Sequence, residues 1–196
     1  MPPQGDRDAG MPQGCNMEDD DIAGLEAERD SLLTQARTLL MAAVNVGEGA
    51  SEMPVMREMP EMPGMPEMGV TPLVWHDGGM FIYPSRLSAH VRAMMEAGKA
   101  AFLVIEDEAS AQNIWARKRI KFDAEITEIE RKSDNFNAVC DIFAARHGPT
   151  MGLIRDFTDF HLLRLRPTGG VMVLGFAQAY RLAGSDLAVT AHLRQS

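Results

Sequence analysis

Between Arg117 and Glu130 apolar and polar side chains alternate, with Ile120, Phe122, Ala124 and Ile126 on one side of the period. A period of two describes a strand with one face buried and one face wet. Such a strand needs partners along its edges and a core beneath it, so the rest of the chain has to supply a sheet.

It does so in short apolar stretches bounded by turn residues. Thr38–Val46, with Gly47 and Gly49 beyond it, reads as a buried strand. Leu73–Trp75, Asp77–Gly79 and Met80–Tyr83 read as strand, turn and strand, and Ala100–Ile105 as another buried strand. Phe160–Arg166 and Gly170–Leu182 read as two closing strands joined across Pro167-Thr168-Gly169. Between them lie helical patterns over 20–35, 86–98 and 133–147, the second with Ser85 or Ser88 as a cap and the third stopped by Gly148-Pro149. Residues 106–116, carrying Trp115, read as a short helix or turn. The sum is an α+β protein on a closed antiparallel sheet. At 196 residues the chain is long enough for one domain with a sizeable core.

Charge divides the chain. Residues 1–30 carry −7 and residues 48–68 carry −4 of a net −9, which leaves the remainder near +2. Residues 1–19, rich in Pro, Gly, Gln and Asp, are expected to form a disordered acidic tail ahead of a domain over 20–193. The overall charge argues against nucleic acid as a partner, and the body left after removing the acidic segments can hold a small anion. There is no secretory leader pattern and no apolar run of the ~20 residues that span a bilayer, so the expectation is a cytoplasmic chain with no membrane partner. Two cysteines, Cys15 and Cys140, exclude a disulfide scaffold.

Arg117-Lys118-Arg119-Ile120-Lys121 is the dense basic run. On a strand it aligns Arg117, Arg119 and Lys121, a row that either grips a phosphate or carboxylates or forms a solvated face paired to acids on a neighbour. The histidines 76, 90, 147, 161 and 192 have no metal-ligand spacing. His90 is expected on the exposed side of its helix, His147 at a helix end that suits its charge, His161 on a strand sharing a face with Asp159, and His192 near a mobile end able to fold over a site. Cys140 reads as a core residue on an apolar helix face.

An odd segment lies at about 48–69. Met53, Met56, Met59, Met62, Met65 and Met68 recur every third residue, with Pro54, Pro60, Pro63 and Pro66 between them. The prolines exclude an α-helix and favour polyproline II, whose three-residue turn aligns the sulfurs in a stripe. Three readings stand: thioether ligands for Cu(I), an adaptable apolar surface for haem or a partner, or a low-complexity insertion.

The stretches FIYPSRLSAH (81–90), AAFLVIEDE (100–108), ARKRIKFDAEI (116–126), DFHLLRLRP (159–167) and GFAQAYRLAG (175–184) resemble the HugZ/HutZ-type haem-utilisation proteins of the pyridoxamine-5'-phosphate-oxidase-like, FMN-binding split-barrel superfamily. The resemblance runs from about Leu25 to Leu193. It implies a six-stranded antiparallel split β-barrel with flanking helices, a homodimer with its ligand pocket at the subunit interface, and haem as the molecule bound, in some members oxidatively degraded. Under it Thr38 matches a position near the haem, Arg119 a basic residue for propionates, and Asp159 an acid that bonds the iron's histidine across the dimer. His192 lies nearest the C-terminal position where the family carries that histidine. Other branches of the superfamily imply an FMN-dependent oxidoreductase, with Arg117, Lys118 or Arg119 on the flavin phosphate. A copper-binding or interaction module, working through the methionine stripe, is the third reading.

Overall fold

The computed structural model describes residues 19–44 and 64–193. In chain order these form α1 (Asp19–Gln35), β1 (Thr38–Val44), β2 (Pro66–His76), β3 (Gly79–Ile82), α2 (Ala89–Ala97), β4 (Lys99–Ile105), a single 3-10 turn (Ile114–Ala116), β5 (Arg119–Glu128), α3 (Asp134–His147), α4 (Thr150–Ile154), β6 (Leu163–Gly175), β7 (Gln178–Ala183) and β8 (Ala188–Leu193). Every strand pairing is antiparallel. The order β3-β2-β1-β4-β5-β6 returns on itself through a β3–β6 pairing, so six strands close a barrel, and β7 and β8 extend the sheet beyond β6.

Alternation places Leu39 and Met41, Phe102 and Val104, and Ile120 and Phe122 inside the barrel, all nearly sealed from solvent. Phe102 and Phe122 stack there with ring centroids 5.4 Å apart. A second core forms outside the barrel, where α3 lays Phe136, Val139, Cys140 and Phe143 against Val74 and Phe81. This explains why all four residues of β3 are buried: Met80 and Ile82 face the barrel while Phe81 faces α3. Ser133 caps α3, accepting from the Phe136 amide at 3.1 Å.

Burial pushes the Cys140 thiol up to about 11. A thiol above its ordinary value stays protonated through neutral pH and is a poor nucleophile. In a Cys15→Ser chain, Cys140 is therefore expected to ignore a thiol-specific reagent at pH 8 and to react in full once denatured. Rapid labelling of the folded chain would contradict its burial.

The structure departs from the sequence expectations in several places. β6 runs straight through Pro167-Thr168-Gly169, expected as a turn. Ala124 pairs with Pro167 and Asp123 with Gly169, so Thr168 is the extra residue of a β-bulge, and its hydroxyl donates to the Asp123 carbonyl at 3.1 Å. A bulge tolerates a proline that has no N–H to give the ladder. The real turn comes at Phe176-Ala177, and β8 was not anticipated at all. α2 starts at Ala89 rather than Arg86, with Ser88 at the cap position and Gly98 ending it in the left-handed region at φ 64°. A short helix, α4, follows the Gly148-Pro149 stop. β5 begins at Arg119, so Arg117 and Lys118 precede the strand. Within the methionine segment, Pro66–Met68 pair with Ala42–Val44 as part of β2 instead of forming polyproline II. This part of β2 is an edge, since β3 pairs with it only from Leu73 onward, and Pro66 and Pro72 are at home on an edge. The acidic tail 1–18, Cys15 and the methionines at 53, 56, 59 and 62 lie outside the described residues.

Candidate functional site

The loop from Glu106 to Lys118 delivers the basic run to the start of β5, and its members part company there. Arg117 pairs with the Glu108 carboxylate at 3.0 Å and donates through Nε to the Glu106 carbonyl at 2.9 Å. Lys118 reaches back to Glu28 on α1 at 2.7 Å. Both have their counter-charge within the chain. Lys121 lies 3.6 Å from Asp123. Arg119, half-buried, donates to the Arg117 carbonyl at 3.0 Å and has no carboxylate partner among the described residues.

Arg119 points away from the barrel core. The same outer face carries Ile105, its partner on β4, and Val173, its partner on β6. The β1–β4 register pairs Leu40 with Leu103. Carried two residues on, it sets Thr38 opposite Ile105, so Thr38 and Arg119 share this face with one strand between them, roughly 10 Å apart at 4.8 Å per strand. Leu40, Leu103 and Val171 extend the apolar surface on this side, and Met68 and Val70 stand 63% and 64% exposed on β2. Towards this end of β5, Trp115 is 83% exposed in the 3-10 turn ahead of the strand, and Phe176 is 70% exposed in the β6–β7 turn. A guanidinium with no carboxylate partner among the described residues, in so much uncovered apolar surface, marks a place where an anion would fit.

His192 lies at this end but on the other face. The ladder Ile120–Met172–Tyr180–His192 is in register across β5 to β8, so the His192 side chain follows Ile120 rather than Arg119. Its ring stacks on Tyr180 with centroids 4.9 Å apart, and Nε2 sits 2.9 Å from the Ala177 carbonyl. It is a strand residue, not part of a mobile end.

Asp159 lies at the opposite end of β5, in a turn ahead of β6. Ser85 Oγ donates to its carboxylate at 2.5 Å, and the Arg86 amide donates to its carbonyl at 2.7 Å. Arg131 clasps the turn from below, donating to the carbonyls of Arg155 at 2.7 Å and Phe157 at 2.8 Å. His161 is in this turn rather than on a strand beside Asp159, and its Nδ1 meets the Glu128 carboxylate at 2.6 Å. About 30 Å of extended β5 thus separates Arg119 from the Asp159 turn, and Leu87 and Phe157 form a second exposed apolar patch beside Asp159. The structure unites Thr38 with Arg119, sends Arg117 and Lys118 to their own acids, and leaves His192 and Asp159 elsewhere.

A cavity of about 420 Å³ opens between α2, β2 and the α3–α4 corner. His90 and His147 line it, and His90 is half-buried rather than on an exposed helix side. Its ring occupies the space that a side chain at Gly69 would take. Burial holds the His90 imidazole below its ordinary value. Sequence reasoning missed this pair because helix periodicity does not show which strand will cover the far side of α2. It also missed Ser85 and Arg131 as supports of Asp159. Among the described residues no three His, Cys, Asp or Glu side chains gather as a metal site, and no helix is long and apolar enough to cross a membrane.

No family model matches the sequence. The chain is 35% identical over 124 residues, 63% of its own length and 70% of the relative's, to the heme oxygenase HutZ of Vibrio cholerae serotype O1. A crystal structure of HutZ from Vibrio cholerae, described as a heme storage protein, superposes with TM-score 0.62 at 26% identity, covering 83% of this chain and 98% of that one. ChuZ of Campylobacter jejuni superposes with TM-score 0.72 at 24% identity over 88% of this chain, which spans 63% of the ChuZ chain and shares its fold. With the closed six-stranded barrel and the motif order both in place, the chain belongs to the HutZ family of haem-utilisation proteins.

Proposed function

We propose that this chain binds haem as a homodimer and serves haem utilisation, with each site built at the seam from Arg119 of one subunit and Asp159 of its partner. The observation that carries this reading is the Arg119 guanidinium, without a carboxylate partner among the described residues, in an apolar outer face of the barrel. Haem is flat, apolar across its face and anionic at one edge, and arginine suits a planar carboxylate. The relatives add the chemistry, since HutZ is named a heme oxygenase in one case and a heme storage protein in the other.

A dimer is required by the separation of the two groups. Arg119 with Trp115 and Phe176 lies at one end of β5, and Asp159 with Leu87 and Phe157 at the other. A two-fold interface sets the first patch of each subunit against the second patch of its partner. Arg119 holds a propionate, Thr38 stands on the same face, and Asp159 approaches from the partner to orient the iron's imidazole. His192 serves as that imidazole only after its ring leaves Tyr180 and the Ala177 carbonyl, and His192→Ala tests this through the Soret band. Flavin phosphate has less to hold it, because Arg117 and Lys118 are already paired. Met65 and Met68, the stripe methionines among the described residues, stand exposed, three residues apart.

The test is a haemin titration of the purified chain, followed at the Soret band. The reading expects saturation at one haem per subunit, and a flat titration would remove it. Adding ascorbate in air then separates storage from degradation: the Soret band persists in the first case, and in the second it is lost as iron becomes available to a chelator.

A further inference from the structure

Two backbone hydrogen bonds join residues 84–86 to the Asp159 turn. The His161 amide donates to the Pro84 carbonyl at 3.1 Å, and the Arg86 amide donates to the Asp159 carbonyl at 2.7 Å. Between them Ser85 bridges Phe160 in antiparallel fashion. These main-chain ties, with Arg131 on the Phe157 carbonyl, hold the turn without the Ser85 side chain.

The Ser85 hydroxyl does something else. It accepts from the Leu87 amide at 3.2 Å and donates to Asp159 Oδ2 at 2.5 Å. A hydroxyl has one proton to give, and here that proton is committed to the carboxylate. Asp159 is half-buried, and its Oδ1 receives no hydrogen bond from the described residues. The charged groups around it are engaged elsewhere: His161 Nδ1 meets Glu128 at 2.6 Å, and Arg131 donates to main-chain carbonyls. Tying one oxygen of so short a side chain sets the direction in which the other is presented.

We propose that Ser85 is a positioning residue for the haem site, aiming Asp159 Oδ1 across the dimer seam at the N–H of the iron's imidazole and so setting how strongly that ring donates to the iron. The assignment rests on the haem reading above. A ring N–H bonded to a carboxylate takes on anionic character, which strengthens its donation and favours the ferric over the ferrous ion. That hydrogen bond weakens steeply as it loses alignment. A carboxylate released from Ser85 is free to rotate and spends less time aligned. The backbone ties stay in place when the hydroxyl is removed, so the turn persists and only the aim of the carboxylate changes.

The experiment loads wild type, Ser85→Ala, Ser85→Thr and Asp159→Asn with haemin and reduces each without air. It reads the iron–histidine stretching band by resonance Raman and the midpoint potential by spectroelectrochemistry. In Ser85→Ala the band is expected at lower frequency and the potential higher, part of the way to Asp159→Asn, which keeps the carboxylate's shape and removes its charge. Ser85→Thr retains the hydroxyl and is expected to return both to wild-type values. Haem affinity is expected to fall by no more than about threefold in Ser85→Ala, since no direct contact is lost. A merely structural role gives the opposite pattern, a lower melting temperature with band and potential unmoved, and that pattern overturns the proposal. So does a Ser85→Thr chain that behaves like Ser85→Ala. Failure of the haem reading looks different: a flat haemin titration of wild type, or an Asp159→Asn band identical to wild type, removes that reading and the role of Ser85 with it.

Discussion

Replacing Arg119 with glutamate is expected to lower haem affinity by about a hundredfold while leaving the melting temperature nearly unchanged. Charge-assisted hydrogen bonds contribute roughly 1.5–3 kcal/mol, and reversing the charge adds repulsion of the propionate. The fold has little stake in this side chain, whose one hydrogen bond goes to the Arg117 carbonyl and which pairs with no acid among the described residues. A substitution of that kind shifts stability by about 0.5 kcal/mol or less. The contrast with its neighbours sharpens the test. Arg117→Ala and Lys118→Ala remove groups already paired with Glu108 and Glu28, so haem binding should barely respond. Equal losses for all three would mean a diffuse electrostatic effect, and unchanged affinity for Arg119→Glu would remove the anion site.

Gly170→Ala is expected to cost stability without touching the site. A Cβ at that position would lie 2.3 Å from the Lys121 carbonyl oxygen and 2.9 Å from Phe122 Cα, both backbone atoms of β5. No side-chain rotation relieves such a contact, and β5 cannot back away because it is held in a closed ring between β4 and β6. Overpacking of this kind costs about 3 kcal/mol, or roughly 6–12 °C in Tm for a chain this long. Gly169→Ala, whose new Cβ would meet the Leu182 carbonyl at 3.2 Å, should be clearly milder. Equal melting temperatures for wild type and Gly170→Ala would contradict the close approach of β5 and β6.

Those two glycines also show what could be read from the sequence and what could not. The alternation around Ile120, Phe122 and Ala124, and the apolar runs at Thr38–Val44 and Ala100–Ile105, announce strands because side-chain period is a local property. Pro167-Thr168-Gly169-Gly170 announces a turn for the same local reasons, yet it is a bulge. The difference lies in β5, which runs beside it and is more than forty residues earlier in the chain. His90 on α2 and Arg117 ahead of β5 follow the same logic. Each was placed by the period of its own element, and each is positioned by something distant: Gly69 for the first, the Glu106–Glu108 loop for the second. β8 has no strong period of its own, and its pairing with β7 gives it shape, which turns His192 from an expected mobile residue into a fixed one. The resemblance named Thr38 and Arg119, the charge pattern pointed to Arg119 together with Arg117 and Lys121, and the barrel sets Thr38 and Arg119 on one face.

The cross-subunit site is tested most directly with mixed dimers. Arg119→Glu and Asp159→Ala chains, differently tagged, are co-expressed and the heterodimer is isolated and titrated with haemin. A seam built from both subunits gives one site in which both residues are intact and one in which both are lost. The account therefore predicts one haem per heterodimer bound with wild-type affinity and spectrum, and no wild-type-like site in either parent homodimer. A heterodimer with no wild-type-like site would contradict it, as would a chain that remains a monomer.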